Sequence, residues 1–226
     1  MKPEFTGSEF VKQKKRIINI IEILEINYPF SDIELNYQNP FQLLIATILS
    51  AQCSDKRVNL VTERLFKKFI EIEDYLIKPL EELEKEIFST GFYKAKANNI
   101  RLACKMILDN YNGKVPDTME NLLKLPGVGR KTANVLLGHC FSTPGIVVDT
   151  HVGRLAKRLG LTKGRTAKRI EYTLMDIVPK KKWVLLNHLL INHGRKICKS
   201  QKPRCQSCSV ESLCPKINLI PSLKIT

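Results

Sequence analysis

The stretch Leu125-Pro126-Gly127-Val128-Gly129-Arg130-Lys131-Thr132-Ala133 constrains this chain more than any other. Before it, Asp117 to Lys124 reads as a short helix opened by an Asp117-x-x-Glu120 capping box. After it, residues 130 to about 139 read as a second helix with apolar residues on one side. The connection is a tight turn with two glycines one residue apart, where the backbone can bend sharply and a ligand can approach unshielded N–H groups. Those groups stand at a helix N-terminus, where the local field suits an anion such as phosphate. Lys131 falls in the first turn of that helix. A cation is poorly placed there, which favours the neutral, nucleophilic amine. Taken alone, Gly-x-Gly also reads as a plain helix stop followed by a solvated lysine.

Charge narrows the partners. Lys and Arg number 37 against 22 Asp and Glu, a formal net charge of +15. A chain this basic generally meets a polyanion: DNA, RNA or an acidic membrane surface. Residues 1–4 lack the apolar core of a signal peptide, and no run approaches the roughly 18 apolar residues of a membrane span. The expectation is a soluble cytoplasmic chain with no membrane partner.

Seven cysteines make a disulfide framework improbable in a reducing compartment. Cys53, Cys104 and Cys140 are scattered through helical stretches and read as small core residues. Cys198, Cys205, Cys208 and Cys214 crowd near the C-terminus as C-x6-C-x2-C-x5-C. Four thiolates in a loop-rich tail call for a metal, and both zinc and a [4Fe–4S] cluster accept four cysteines. Lys199, Lys202 and Arg204 lie between the first two ligands, where they read either as phosphate contacts or as ordinary solvated charges.

Helical patterns fill the rest, and no run of period-two alternation appears. Helices are expected over residues 9–27, 40–51, 54–69, 79–88 and 94–111, with Asn39-Pro40, Ser54-Asp55 and Asn112-Gly113 as start and stop signals. Ile146-Val147-Val148 reads as a short extended run leading to Asp149, which opens a helix that Gly160 ends. Two more are expected over 166–177 and 181–193, closed by Pro179 and Gly194. Asp149 is therefore an ordinary N-cap candidate as well as a candidate acid.

These motifs together resemble a known family. The Gly-Val-Gly hairpin is similar to the helix-hairpin-helix of DNA repair glycosylases, and the cysteine spacing is similar to the cluster loop of the endonuclease III family. The resemblance runs from about residue 15 to 215. It implies a base-excision-repair DNA glycosylase with AP lyase activity, removing oxidised pyrimidines through a Schiff base and nicking by β-elimination. Lys131 matches the family's catalytic lysine and Asp149 its catalytic aspartate, eighteen residues further on. Gly127, Val128, Gly129 and Arg130 would grip a DNA phosphate. Gln52 would fill the gap left by an extruded base, and Phe92 would wedge into the stack from the opposite side. Among metals, the resemblance favours [4Fe–4S] on Cys198, Cys205, Cys208 and Cys214.

The implied fold is all-α: two helical domains with a central cleft. Residues 33–143 would form a six-helix domain carrying the hairpin. Residues 1–32 and 144–226 would form a discontinuous domain with the cluster loop. Double-stranded DNA holding damaged bases or abasic sites is the implied partner of a monomeric enzyme associated with a prokaryotic nucleoid. Two alternatives stand beside this: a monofunctional glycosylase for mismatched or oxidised bases, which would carry another residue at 131, and a non-catalytic, cluster-stabilised DNA-binding protein.

Overall fold

The structure, a computed structural model, describes residues 3–29 and 32–219. Among these residues there are eleven α-helices and no strand. None of these helices is long and apolar enough to cross a membrane.

The chain divides into two compact units, Ile33–Thr143 and Met1–Asp32 with Pro144–Thr226. In the first, α2 (Pro40–Leu49) is buried over Leu43–Leu49 and opens where Asn39 accepts the Gln42 amide at 2.9 Å, with Pro40 at the first helical position. Next come α3 (Asp55–Lys68), capped by Ser54, α4 (Asp74–Ile77) and α5 (Leu80–Ile87). The nineteen-residue α6 (Tyr93–Tyr111) turns its Ala97, Ile100, Cys104 and Ile107 inward. The unit closes with α7 (Met119–Leu122) and α8 (Arg130–Cys140). Its core joins Leu43, Leu44, Leu49, Val58, Leu65, Phe69, Tyr75 and Ile100 to Leu136 and Leu137 of α8.

In the second unit α1 (Gly7–Asn27) contributes Ile17, Ile20, Ile21 and Leu24. These pack with apolar residues of α9 (Thr150–Arg158), α10 (Ala167–Ile177) and α11 (Trp183–Lys196). Glu4 pins the start of the chain by accepting from the Thr173 hydroxyl at 2.7 Å and the Thr162 hydroxyl at 3.0 Å.

Three local expectations are corrected. The helix before the hairpin is capped by Thr118, which accepts the Asn121 amide, not by Asp117, and it is four residues long. Gly194 does not end its helix. It lies within α11, where an added Cβ would stand 2.9 Å from His151 Nδ1 and 3.0 Å from an Arg154 nitrogen, so glycine there permits close approach between helices. The short α4 is absent from the periodic reading; Asp74 sets it up by accepting the amides of Ile70 at 2.8 Å and Glu71 at 3.1 Å.

Candidate functional site

The hairpin is a turn whose two glycines have different jobs. The Val128 amide donates to the Leu125 carbonyl at 3.1 Å, Pro126 takes the second position, and Gly127 the third with φ +78°. That is the dihedral signature of a type II turn, which needs a residue at ease with positive φ. An added Cβ on Gly127 would also press to 3.1 Å from the Asn99 Cβ in α6. Val128 is buried against the core of its unit, so its side chain and amide both serve the turn rather than facing outward.

Gly129 is the N-cap of α8, with ordinary extended dihedrals and no side chain to cap the helix. A Cβ there would meet nothing within 4 Å. Neither backbone strain nor internal packing requires glycine at this position; open access from outside is what it leaves. The first amides of α8 have no intrahelical partner, as at any helix start, so they face the opening that Gly129 keeps clear. Lys131 is exposed in the first turn of the helix, while Ala133, Leu136 and Leu137 hold the opposite side in the core. The local arrangement is an anion seat with an amine at its edge.

In the other unit, Asp149 is placed by a different device. Residues 145–148 run extended without a sheet partner, and buried Asn187 of α11 takes that partner's place. Its amide nitrogen donates to the Gly145 carbonyl at 3.1 Å, and its oxygen accepts the Val147 amide at 3.0 Å. The segment ends at half-buried Asp149, whose Oδ1 accepts the Val152 amide at 2.8 Å as the N-cap of α9. One carboxylate oxygen is thus fixed by the helix it starts. The orientation of the other follows from it.

The four C-terminal cysteines line one pocket with Leu155, Leu159, Ile197 and Val210. Burial pushes the thiols of Cys208 and Cys214 up, and each also feels the remaining cysteines. Four thiols converging on one pocket are the donor set of a thiolate-bound metal centre, zinc and iron–sulfur alike.

Sequence reasoning missed the residues that hold this loop. Arg158 donates to the carbonyls of Lys199 at 2.6 Å and Ser200 at 2.8 Å, and to Cys198 Sγ at 3.4 Å. Arg154 reaches the Cys198 carbonyl at 3.0 Å and that of Gly194 at 3.1 Å. Arg16, from α1, binds the Leu159 carbonyl at 2.7 Å and that of Leu213 at 2.8 Å. His193 is buried between the Tyr28 hydroxyl (Nδ1, 3.1 Å) and Cys208 Sγ (Nε2, 3.4 Å). Burial pulls its pKa down to about 4, keeping the ring neutral. Arginine in a helical pattern reads as surface, so composition gave no sign of this cage; the only available signal was the short spacing of Arg154 and Arg158 on one face of α9.

Of the remaining predicted site residues, Arg130 is half-buried at the start of α8 and the others are exposed. Lys199, Lys202 and Arg204 stand on the outside of the cysteine loop. Gln52 and Phe92 are both solvent-facing and both left-handed, with φ +56° and +49°. Phe92 leaves 68% of its surface in water.

Residues 45–180 match the model of the HhH-GPD superfamily base excision DNA repair proteins. The chain is 50% identical to endonuclease III of Bacillus subtilis, over 83% of this chain and 86% of that one. It is 47% identical to endonuclease III of Synechocystis sp., over 92% and 95%. Among solved structures, a trapped endonuclease III–DNA covalent intermediate, an estranged-adenine complex, superposes with a TM-score of 0.85. It is 48% identical and covers 90% of this chain and 96% of its own.

Proposed function

The chain belongs to the endonuclease III family of the HhH-GPD superfamily, and from that premise we infer that it is a bifunctional DNA glycosylase and AP lyase acting in base excision repair. The observation that carries the reading to residues is Lys131. It is an exposed amine in the first turn of α8, beside a glycine that keeps the helix amides open to a phosphate.

The chemistry is set by what must be reached. A base inside a duplex is inaccessible to an amine, so it is first extruded, at a cost of a few kcal/mol that is smallest for bases that stack badly. Oxidised pyrimidines that have lost ring planarity meet that description. The backbone at the flipped nucleotide is held by the amides of Gly129, Arg130 and Lys131, while Gly127 and Val128 shape the turn that presents them. Gln52 and Phe92 occupy the space left in the stack. Lys199, Lys202 and Arg204 extend the contact to neighbouring phosphates.

The Lys131 amine attacks C1′ and the N-glycosidic bond breaks, with the bonding pair leaving on the base, which is protonated. Asp149 supplies a fixed negative charge for the cationic sugar and a site for the proton the amine loses. The aminal opens to an imine. Loss of a C2′ proton then drives the C3′–O bond to break, which nicks the strand 3′ to the lesion. Hydrolysis of the imine returns free Lys131. Cys198, Cys205, Cys208 and Cys214 would hold a [4Fe–4S] cluster, which would cross-link the loop and fix its basic residues in place. A protein working on DNA in this way would sit in the cytoplasm with the nucleoid.

The test is a duplex with one thymine glycol. Release of the free base together with strand cleavage is expected. Base release without cleavage would instead indicate a monofunctional glycosylase.

A further inference from the structure

Lys96 is a lysine where the helical pattern of α6 puts an apolar residue: one turn before Ile100, on the buried face, with 4% of its surface exposed. Its ammonium makes two hydrogen bonds, to the Leu49 carbonyl at 2.8 Å and to the Thr90 carbonyl at 2.8 Å. Leu49 is the last residue of α2, and Thr90 is the last residue of the 3-10 turn Phe88–Thr90. Carbonyls at a helix C-terminus lack intrahelical partners and favour a cation, so one buried ammonium closes two helix ends at once.

The segments just beyond those two ends give the arrangement its meaning. Three residues after Leu49 is Gln52, and two after Thr90 is Phe92. Both are exposed and both hold positive φ. For a bulky side chain such as phenylalanine that is a rare and strained backbone state, which persists only where its surroundings hold it. Gly91 before it is also at positive φ, and the Phe92 carbonyl accepts the Lys96 amide at 3.0 Å, so the lysine grips this loop from both its backbone and its side chain.

We propose that Lys96 is the positioning residue that sets the separation of Gln52 and Phe92, so that the two enter the DNA stack as a matched pair around the extruded nucleotide. This rests on the reading of Gln52 and Phe92 given under Proposed function. Lys96 itself touches neither DNA nor the reacting sugar. Its work is done by joining the loop after α2 to the loop before α6, which otherwise are separate segments of chain.

A positioning role predicts a loss confined to substrates that have a stack to be opened. Lys96→Met removes the donors and keeps most of the unbranched stem. Each preparation is assayed for turnover on a thymine glycol duplex and for borohydride trapping on a single-stranded abasic oligonucleotide. The ratio of the two is taken, which cancels the folded fraction. The ratio falls about ten- to a hundred-fold in Lys96→Met, the size expected for a misplacement near 1 Å. Phe92→Ala lowers the same ratio, and Lys96→Met in that background adds little further, because nothing is left to position. An unchanged ratio in Lys96→Met, or fully additive losses in the double variant, would overturn the proposal. Should Lys96→Met not fold, Lys96→Gln, which keeps an amide donor, goes through the same cycle under the same criteria. Wild-type protein that neither turns over the duplex nor is trapped on the oligonucleotide would refute the glycosylase–lyase reading instead.

Discussion

A methyl group added at Gly129 has open space around it, whereas one added at Gly127 meets both an unfavourable φ of +78° and the Asn99 Cβ. Gly127→Ala should therefore destabilise by about 1–3 kcal/mol in thermal or urea unfolding. Gly129→Ala, which puts a poorer N-cap on α8 without strain or clash, should cost no more than about 1 kcal/mol. Binding reverses the order of their importance. A methyl at Gly129 stands where a phosphate oxygen would approach the α8 amides, and losing one such charge-assisted bond weakens DNA affinity by roughly ten-fold or more. Equal stability losses in the two variants would contradict this division of labour. Both glycines were legible in the sequence as a hairpin, but not their separate roles. Spacing states that a turn exists; only φ and the surroundings say which glycine serves the fold.

Asp149 caps α9, and on the proposed mechanism it also serves the chemistry, two duties that substitution can separate. Asparagine caps helices about as well as aspartate, while alanine costs about 1 kcal/mol at such a position. Asp149→Asn should keep the unfolding midpoint of the wild type and still lose about a hundred-fold or more in base release, since the carboxylate charge is gone. A retained rate would remove Asp149 from the chemistry and leave it a cap. The caps at Asn39 and Ser54 follow from local rules, and so were readable. The α7 cap was misread by one residue because Asp117 and Thr118 both suit the position, and tertiary packing chose between them. Gly194 was misread for a related reason. Glycine ends helices and also lets them touch, and the contact with His151 and Arg154 is invisible in one dimension. The cage of Arg16, Arg154 and Arg158 was hidden likewise, because its partners are main-chain carbonyls that no side-chain pattern records. If the four cysteines hold the proposed cluster, removing it by chelation or oxidation should release that cage. Hydrogen exchange is expected to show lost protection over about residues 197–217 with α2 to α8 unaffected. Protection lost equally in both units would show that the cluster loop is not a local element.

Across the whole molecule, a net charge of +15 is the property that brings protein and DNA together. Its signature is a linear fall of log affinity with log salt, with a slope near −0.9 for each phosphate neutralised. Lys202→Ala, an exposed change at positive φ in the cysteine loop, should reduce the steepness of that slope by about one contact while leaving single-turnover cleavage of bound substrate intact. An unaltered slope would take Lys202 out of the interface. The charge was fully legible from composition. The candidate site residues stood out because hairpin, cysteines, Lys131 and Asp149 each sit in a short motif. The central claim concerns one atom, the Lys131 Nζ, and the most direct test is borohydride trapping on a duplex bearing a single thymine glycol. The account predicts a covalent protein–DNA band for the wild type and none for Lys131→Gln, with DNA binding retained. A band of equal intensity in Lys131→Gln would place the nucleophile elsewhere and contradict it.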